Sequence, residues 1–208
     1  KRYENSKQYD EGDIYLYADP SWHDAAYPDG LVIIDAKHNA AAVLGLRYFG
    51  ELKKATLTLA WATAHRNGYA ACHGGEKAFH FKDKDDKVFA FYGLSGSGKS
   101  TLTHAKHNGK FDITVLHDDA FVINRKDGSS IALEPSYFDK TNDYLPGTKE
   151  TNYFTTVMNV GVTLDADGKK VLVTEDLRNG NGRTIKSRYA SVNRVDREKA
   201  PITSIFWI

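Results

Sequence analysis

The sequence is poor in cysteine, in net charge and in long apolar stretches, and each shortage removes a class of protein. Cys72 is the only cysteine in 208 residues, which excludes an internal disulfide and fits a reducing cytoplasm. Lys and Arg number 28 against 27 Asp and Glu, so no general polyanion-binding field exists and nucleic acid is not an expected partner. No apolar run reaches the ~18 residues of a membrane span, and the first residues carry no signal-like pattern. Internal repeats and low-complexity linkers are absent as well. A soluble cytoplasmic protein is expected, large enough to bury roughly 70% of its unfolded surface. The chain opens on Lys1-Arg2 without Met and stops inside Ile205-Phe206-Trp207-Ile208, which reads as a piece of a longer protein; a native strand tucked into a sheet is the alternative.

What is present is a phosphate cradle. Gly93-Leu94-Ser95-Gly96-Ser97-Gly98-Lys99-Ser100-Thr101 satisfies G-x-x-x-x-G-K-[ST]. The strand-like run Val88–Tyr92 precedes it, and Ser100–Lys106 can begin a helix. Glycines let backbone N–H groups turn inward toward phosphate oxygens, where side chains would obstruct them. In this pattern Lys99 reaches the β- and γ-phosphates of a nucleotide, and the Ser100 hydroxyl ligates the Mg²⁺ that bridges them.

The rest of the chain reads as a mixed α/β or α+β fold with a largely β core and no obvious domain boundary. Leu31–Asp35 and Ala41–Leu46 form a hairpin around Lys37-His38-Asn39. Glu51–Ala64 has the length of a helix closed by Asn67-Gly68, with Leu52, Ala55, Leu59 and Ala62 on its apolar face. Asp112–Leu116 is a strand ending in His117-Asp118-Asp119. Val157–Val162 and Val171–Val173 are strand candidates around the turn Asp165–Gly168, and Lys82–Lys87 is a solvated loop.

A phosphate loop leaves the reaction open, so the other residues must choose it. Asp118-Asp119 behind such a loop suits a cation and its water. Lys53-Lys54 sit near a helix start, where the macrodipole disfavours cations. A lysine ligates a metal only as the neutral amine, a form that a neighbouring ammonium, burial and the cation itself all favour. Taken alone, a Lys-Lys pair is ordinarily solvated surface and a histidine near glycines, such as His73, ordinarily structural.

In order, Arg47-Tyr48-Phe49-Gly50-Glu51-Leu52-Lys53-Lys54, then His73, the loop from Gly93 to Leu102, Asp118-Asp119 and Leu133–Thr141 resemble the signature segments of ATP-dependent phosphoenolpyruvate carboxykinases. The nineteen residues from Lys54 to His73 agree with that family, and the resemblance covers most of residues 30–145. It implies a carboxykinase-like nucleotide-binding domain, with residues 1–208 the central part of such a protein and its remainder a partner. It also implies decarboxylation and phosphorylation of oxaloacetate by ATP to phosphoenolpyruvate, CO₂ and ADP. A transition metal, Mn²⁺, is implied on Lys54, His73 and Asp119, with Asp118 ordering water on the nucleotide Mg²⁺. Tyr48 would contact substrate, and Lys53 would lie between substrate and transferred phosphoryl group. Arg188 would meet the γ-phosphate, with Arg183 and Arg194 as competitors. The family's amino-terminal substrate arginine and its adenine-binding segment have no counterpart here, so the piece alone is expected to be inactive.

Two other readings share the loop. One is a serine kinase/phosphorylase of a sugar-transport phosphocarrier, which the segment Tyr48–Lys54 with His73 does not fit. The other is a non-catalytic nucleotide-binding regulatory module.

Overall fold

The computed structural model describes residues 13–94, 96–116, 119–144, 148–173 and 181–208; Ser95 and Asp118 therefore lie outside the described residues. The chain forms two compact units, Lys1–Glu134 with Asn193–Ile208, and Pro135–Val192.

In chain order the regular elements are β1 (Tyr15–Asp19), β2 (Leu31–Asp35), β3 (Ala40–Leu44), α1 (Phe49–Arg66), β4 (Tyr69–His73), β5 (Gly75–His80), β6 (Lys87–Tyr92), α2 (Lys99–His104), β7 (Asp112–Val115), β8 (Ala120–Asn124) and β9 (Ser130–Ala132). The second unit holds β10 (Tyr137–Lys140), β11 (Phe154–Met158), β12 (Gly161–Leu164), β13 (Lys170–Val173) and β14 (Arg183–Lys186), after which β15 (Arg197–Glu198) and β16 (Ile202–Trp207) return to the first. The molecule is a mixed fold, rich in sheet and with few helices among the described residues.

Among the described residues, three sheets build the first unit. The small one has order β1-β3-β2: the expected hairpin of β2 and β3, with β1 added parallel to β3. Helix α1 lies on it, with Ala55 and Leu59 packed against Ala41 and Val43. Leu59 is fully buried, a burial worth about 1.5–3 kcal/mol. The other two are four-stranded, ordered β16-β6-β5-β7 and β15-β9-β8-β4. Ala90 of β6 shares a core with Phe121 and Ala132 of β8 and β9, so these two sheets face one another. The C-terminal apolar run takes the edge place beside β6 as a parallel strand, where Phe206 stacks on Phe91.

The described residues of the second unit form a three-stranded antiparallel sheet, β10-β14-β11, and a separate hairpin, β12-β13. The sequence suggests one strand over Val157–Val162, but the structure divides it. Asn159 has a positive φ of 55°, a conformation that interrupts extended pairing and that Asn tolerates better than most residues. Met158 closes β11 and Gly161 opens β12.

Strand β5 is central to its sheet, paired with both β6 and β7. From Gly75 to Phe79 every residue is buried, and successive side chains go to opposite faces. Glu76, fully buried, has Ser130 and Glu198 as its polar neighbours, and those two are cross-strand partners in the other sheet. Burial, helped by the nearby Glu198 charge and opposed by Ser130, pushes the Glu76 carboxyl up to about 8. An acid that holds its proton more tightly when folded stabilises the fold at low pH, and that contribution is lost as pH rises through the folded value. Glu76→Gln is therefore expected to melt close to the parent near pH 5 and above it at pH 9, by about 2–4 °C per kcal/mol recovered. Thermal melts at the two pH values check this; equal melting temperatures at pH 9 would show that the ionised carboxylate costs nothing.

Candidate active site

The first turn of α1, the end of β4 and the start of β8 bring their polar residues together in the first unit. Tyr48 caps α1 in an extended conformation (φ −81°, ψ 114°). Its ring lies across Gly50, where an added Cβ would come within 2.3 Å of it. One turn on, Lys53 points inward: its Nζ is 2.9 Å from Asp119 Oδ2 and 2.5 Å from Glu134 Oε1. Lys54 does something else. Its Nζ donates to Glu51 Oε1 at 3.2 Å and lies 5.8 Å from the Tyr48 ring centroid, with the side chain 64% exposed. Adjacent helical residues stand about 100° apart around the axis, so the two lysines cannot both face one carboxylate.

Asp119 is the centre of the group. His73 Nε2 is 2.6 Å from Asp119 Oδ1, and the Gly74 amide donates to the Asp119 carbonyl at 2.9 Å. The residues are distant in sequence but are neighbours because β4 and β8 pair antiparallel, with His73 opposite Ala120. Trp61 of α1 lies beside the His73 ring at 6.2 Å between centroids. Burial alone would raise the Asp119 carboxyl, but the His73 hydrogen bond and the Lys53 ammonium hold it well below the usual carboxylate range. Burial likewise pulls the Lys53 ammonium down, and the Glu134 and Asp119 charges outweigh it, leaving Lys53 above its ordinary value and charged. Glu134 is pushed up to about 7 by burial against the opposing pull of Lys53, with Asp119 adding to the rise. The hydrogen bond to Asp119 raises the His73 imidazole, while burial and the charges on Lys99 and Lys53 oppose this.

The influence of Lys99 on His73 ties the cluster to the loop after β6. That loop runs through Gly96 and Gly98 with φ of 82° and 100°, values natural to glycine and strained for other residues. Gly98 caps α2, and Lys99 Nζ donates to the carbonyls of Gly93 and Leu94 at 2.9 and 2.8 Å. Ser97, Ser100 and Thr101 are exposed around the turn into α2. A separate cavity of about 430 Å³ is lined by Ala18, Pro20, Ser21, Leu46, Arg47 and Leu52 and includes none of the cluster residues.

Of the three arginines weighed for a phosphate contact, Arg194 is buried and donates to the Glu134 carbonyl. Arg183 lies on β14, and Arg188 opens the short turn Arg188–Ala190 of the second unit, after the Ser187 cap.

A sequence model for phosphoenolpyruvate carboxykinase matches residues 7–199. The chain belongs to the ATP-dependent phosphoenolpyruvate carboxykinase family. Among curated members, the phosphoenolpyruvate carboxykinase (ATP) of Aeropyrum pernix is 29% identical over 131 residues, which are 60% of this chain and 26% of that protein. The glycosomal phosphoenolpyruvate carboxykinase (ATP) of Trypanosoma brucei brucei is 35% identical over 72 residues, 35% of this chain and 14% of that protein. The corresponding Trypanosoma cruzi protein is 30% identical over 108 residues, 50% of this chain and 22% of its own length. The chain thus spans about a quarter or less of these carboxykinases.

For a carboxykinase-family metal, His73 and Asp119 supply an imidazole nitrogen and a carboxylate, donors that suit a divalent cation; Lys53 is charged and so has no lone pair to offer, and Lys54 is turned to Glu51. The geometry joins Asp119 to His73 and Lys53, and Lys54 to Glu51. Glu134, quoted in the sequence only as part of a matching segment, is the carboxylate that sequence reasoning passed over. Its one local signal is an acid directly following the apolar run Ile131-Ala132-Leu133.

Asp119→Asn should bring the His73 pKa back toward its ordinary imidazole value, because it removes the anion that favours the protonated ring. An NMR titration of the ring Cε1–H resonance checks this, and an unmoved midpoint would mean that Asp119 does not control His73.

Proposed function

We propose that this chain supplies the phosphate-loop and metal-binding part of an enzyme that converts oxaloacetate and ATP to phosphoenolpyruvate, CO₂ and ADP in the cytoplasm. The observation that carries the reading is the convergence of Lys53, His73 and Asp119 from three separate segments, within electrostatic reach of Lys99, in a member of the carboxykinase family.

Loss of CO₂ from oxaloacetate leaves an enolate, and transfer of the γ-phosphoryl group to its oxygen brings two anions together. The site must therefore be rich in fixed positive charge. Lys53, held charged by the buried Glu134 and the partly buried Asp119, would lie between the enolate oxygen and the incoming phosphoryl group. Gly93–Thr101 would wrap the nucleotide phosphates, with Lys99 leaving its own loop carbonyls for the β- and γ-phosphates and Ser100 and Asp118 serving the nucleotide Mg²⁺. His73 and Asp119 would hold Mn²⁺, joined by Lys54 only if it leaves Glu51 as the neutral amine; when bound, that cation supplies Lewis acidity toward the developing enolate. Tyr48, at the start of the lysine-bearing helix, would contact the substrate. The protein's own work is placement, because in-line phosphoryl transfer needs no protein nucleophile.

Calorimetric titration with Mg-ATP should show binding by the chain. Lys99→Ala should weaken it by roughly 1.5–3 kcal/mol, about ten- to a hundred-fold. Equal affinities would remove the phosphate loop from the reading. Mn²⁺ binding followed by electron paramagnetic resonance should be lost in His73→Ala, and oxaloacetate- and ATP-dependent formation of phosphoenolpyruvate by the intact protein should depend on Lys53. Absence of that turnover, with nucleotide binding intact, would leave a regulatory nucleotide module in its place.

A further inference from the structure

Lys77 is a lysine that the reaction does not use, placed where a lysine is costly. It is 1% exposed, on the face of β5 opposite Glu76. Its Nζ donates to the Leu102 carbonyl at 2.5 Å and the Ala105 carbonyl at 2.8 Å, and lies 3.2 Å from His107 Nε2. An ammonium has three N–H donors, and these three acceptors take them all, with His107 in the tautomer that leaves Nε2 as acceptor. Leu102 is in the last turn of α2 and Ala105 is its C-terminal cap, where carbonyls run out of intrahelical partners and a cation is favoured by the helix dipole.

The same strand grips the helix a second time. Gly75 faces Thr103, whose hydroxyl would stand only 1.9 Å from a Cβ added at Gly75. Thr103 is fully buried and its Oγ1 donates to the Lys99 carbonyl at 2.8 Å. Residues 73–77 are thus a continuous rail. His73 holds the Asp119 carboxylate, Gly74 the Asp119 carbonyl, Gly75 seats Thr103 and Lys77 holds the far end of α2.

We propose that Lys77 is a positioning residue, which fixes the helix behind the phosphate loop in register with the His73–Asp119 pair and so sets where bound nucleotide phosphates are presented. The proposal rests on the reading of Gly93–Thr101 as a phosphate loop. Lys77 touches no reacting atom; it acts through α2, whose first residue is Lys99. Burial pulls its ammonium down to about 8, and His107 is the titratable group that faces it. Loss of the proton would leave two donors for three acceptors, and the grip on α2 would slacken above that pH.

The test is Mg-ATP calorimetry on the 208-residue chain, Lys77→Met and Lys99→Ala, at pH 7.5 and 9.5. Methionine fills the space of the lysine stem but leaves the Leu102 and Ala105 carbonyls without their donor, a cost to stability; a circular dichroism melt checks folding. Lys77→Met should bind Mg-ATP about tenfold more weakly at pH 7.5, as loss of a charge-assisted contact predicts. The fall in affinity between pH 7.5 and 9.5 should be smaller in this variant than in the parent, a difference that loss of packing alone would not produce. Wild-type affinity and pH profile in Lys77→Met, with binding lost in Lys99→Ala, overturns the positioning role and leaves the phosphate loop standing. Failure of the parent chain to bind Mg-ATP overturns both. Should Lys77→Met not fold, His107→Phe takes its place. It removes the third acceptor and keeps a ring beside Phe79 and Phe111. A loss of about two- to threefold at pH 7.5 supports the role, and an unchanged affinity overturns it.

Discussion

The partly buried carboxylate of Asp119 is the constraint on which the candidate site depends. A carboxylate taken out of water is costly unless charge and hydrogen bonds replace the lost solvation. Asp119 obtains both from Lys53 and His73, one on α1 and one at the end of β4. That requirement brings a helix and two strands to one point, and Glu134 then balances the Lys53 charge from the end of the segment after β9. The result is a strip of alternating charge, Glu134, Lys53, Asp119 and His73, in which every member fixes its neighbour. Such a strip is preorganised: its dipoles are set before a ligand arrives, and a developing charge meets groups that need not reorient.

Strand β5 extends the same order toward the loop. Its alternation sends Glu76 toward Ser130 and Glu198 and Lys77 toward the helix behind the glycines. Two ionisable residues side by side in the buried stretch 75–79 run against ordinary core composition. Lys77 meets a helix C-terminus, whose exposed carbonyls suit an ammonium. Glu76 is accommodated by holding its proton. One strand therefore carries charge on the helix side and a protonated acid on the sheet side.

Much of this is legible in the residues taken in order. The hairpin of β2 and β3, the helix from Phe49 to Arg66 and the strand before the glycine loop follow from periodicity and punctuation: Asn67-Gly68 after the helix, and glycines where φ must be positive. The sequence also marks His73, Asp119 and the lysine pair as candidates, through the order and spacing of segments resembling the carboxykinases. Periodicity does not locate the break at Asn159, because Val157–Val162 is apolar enough for one strand and a single backbone angle divides it.

By itself the sequence pointed to a class of chemistry, since a glycine-rich turn followed by Lys and Ser is a pattern whose amides and ammonium suit an anion. Tertiary structure alone decided which lysine serves Asp119. Lys53 and Lys54 are chemically identical neighbours, and only the rotation of α1 on its sheet turns the first toward Asp119 and leaves the second to Glu51. It decided the roles of Glu134, Glu76 and Lys77 for the same reason. Ion pairs between residues tens of positions apart are set by strand register and the facing of elements, and neither leaves a local mark in the order of the amino acids.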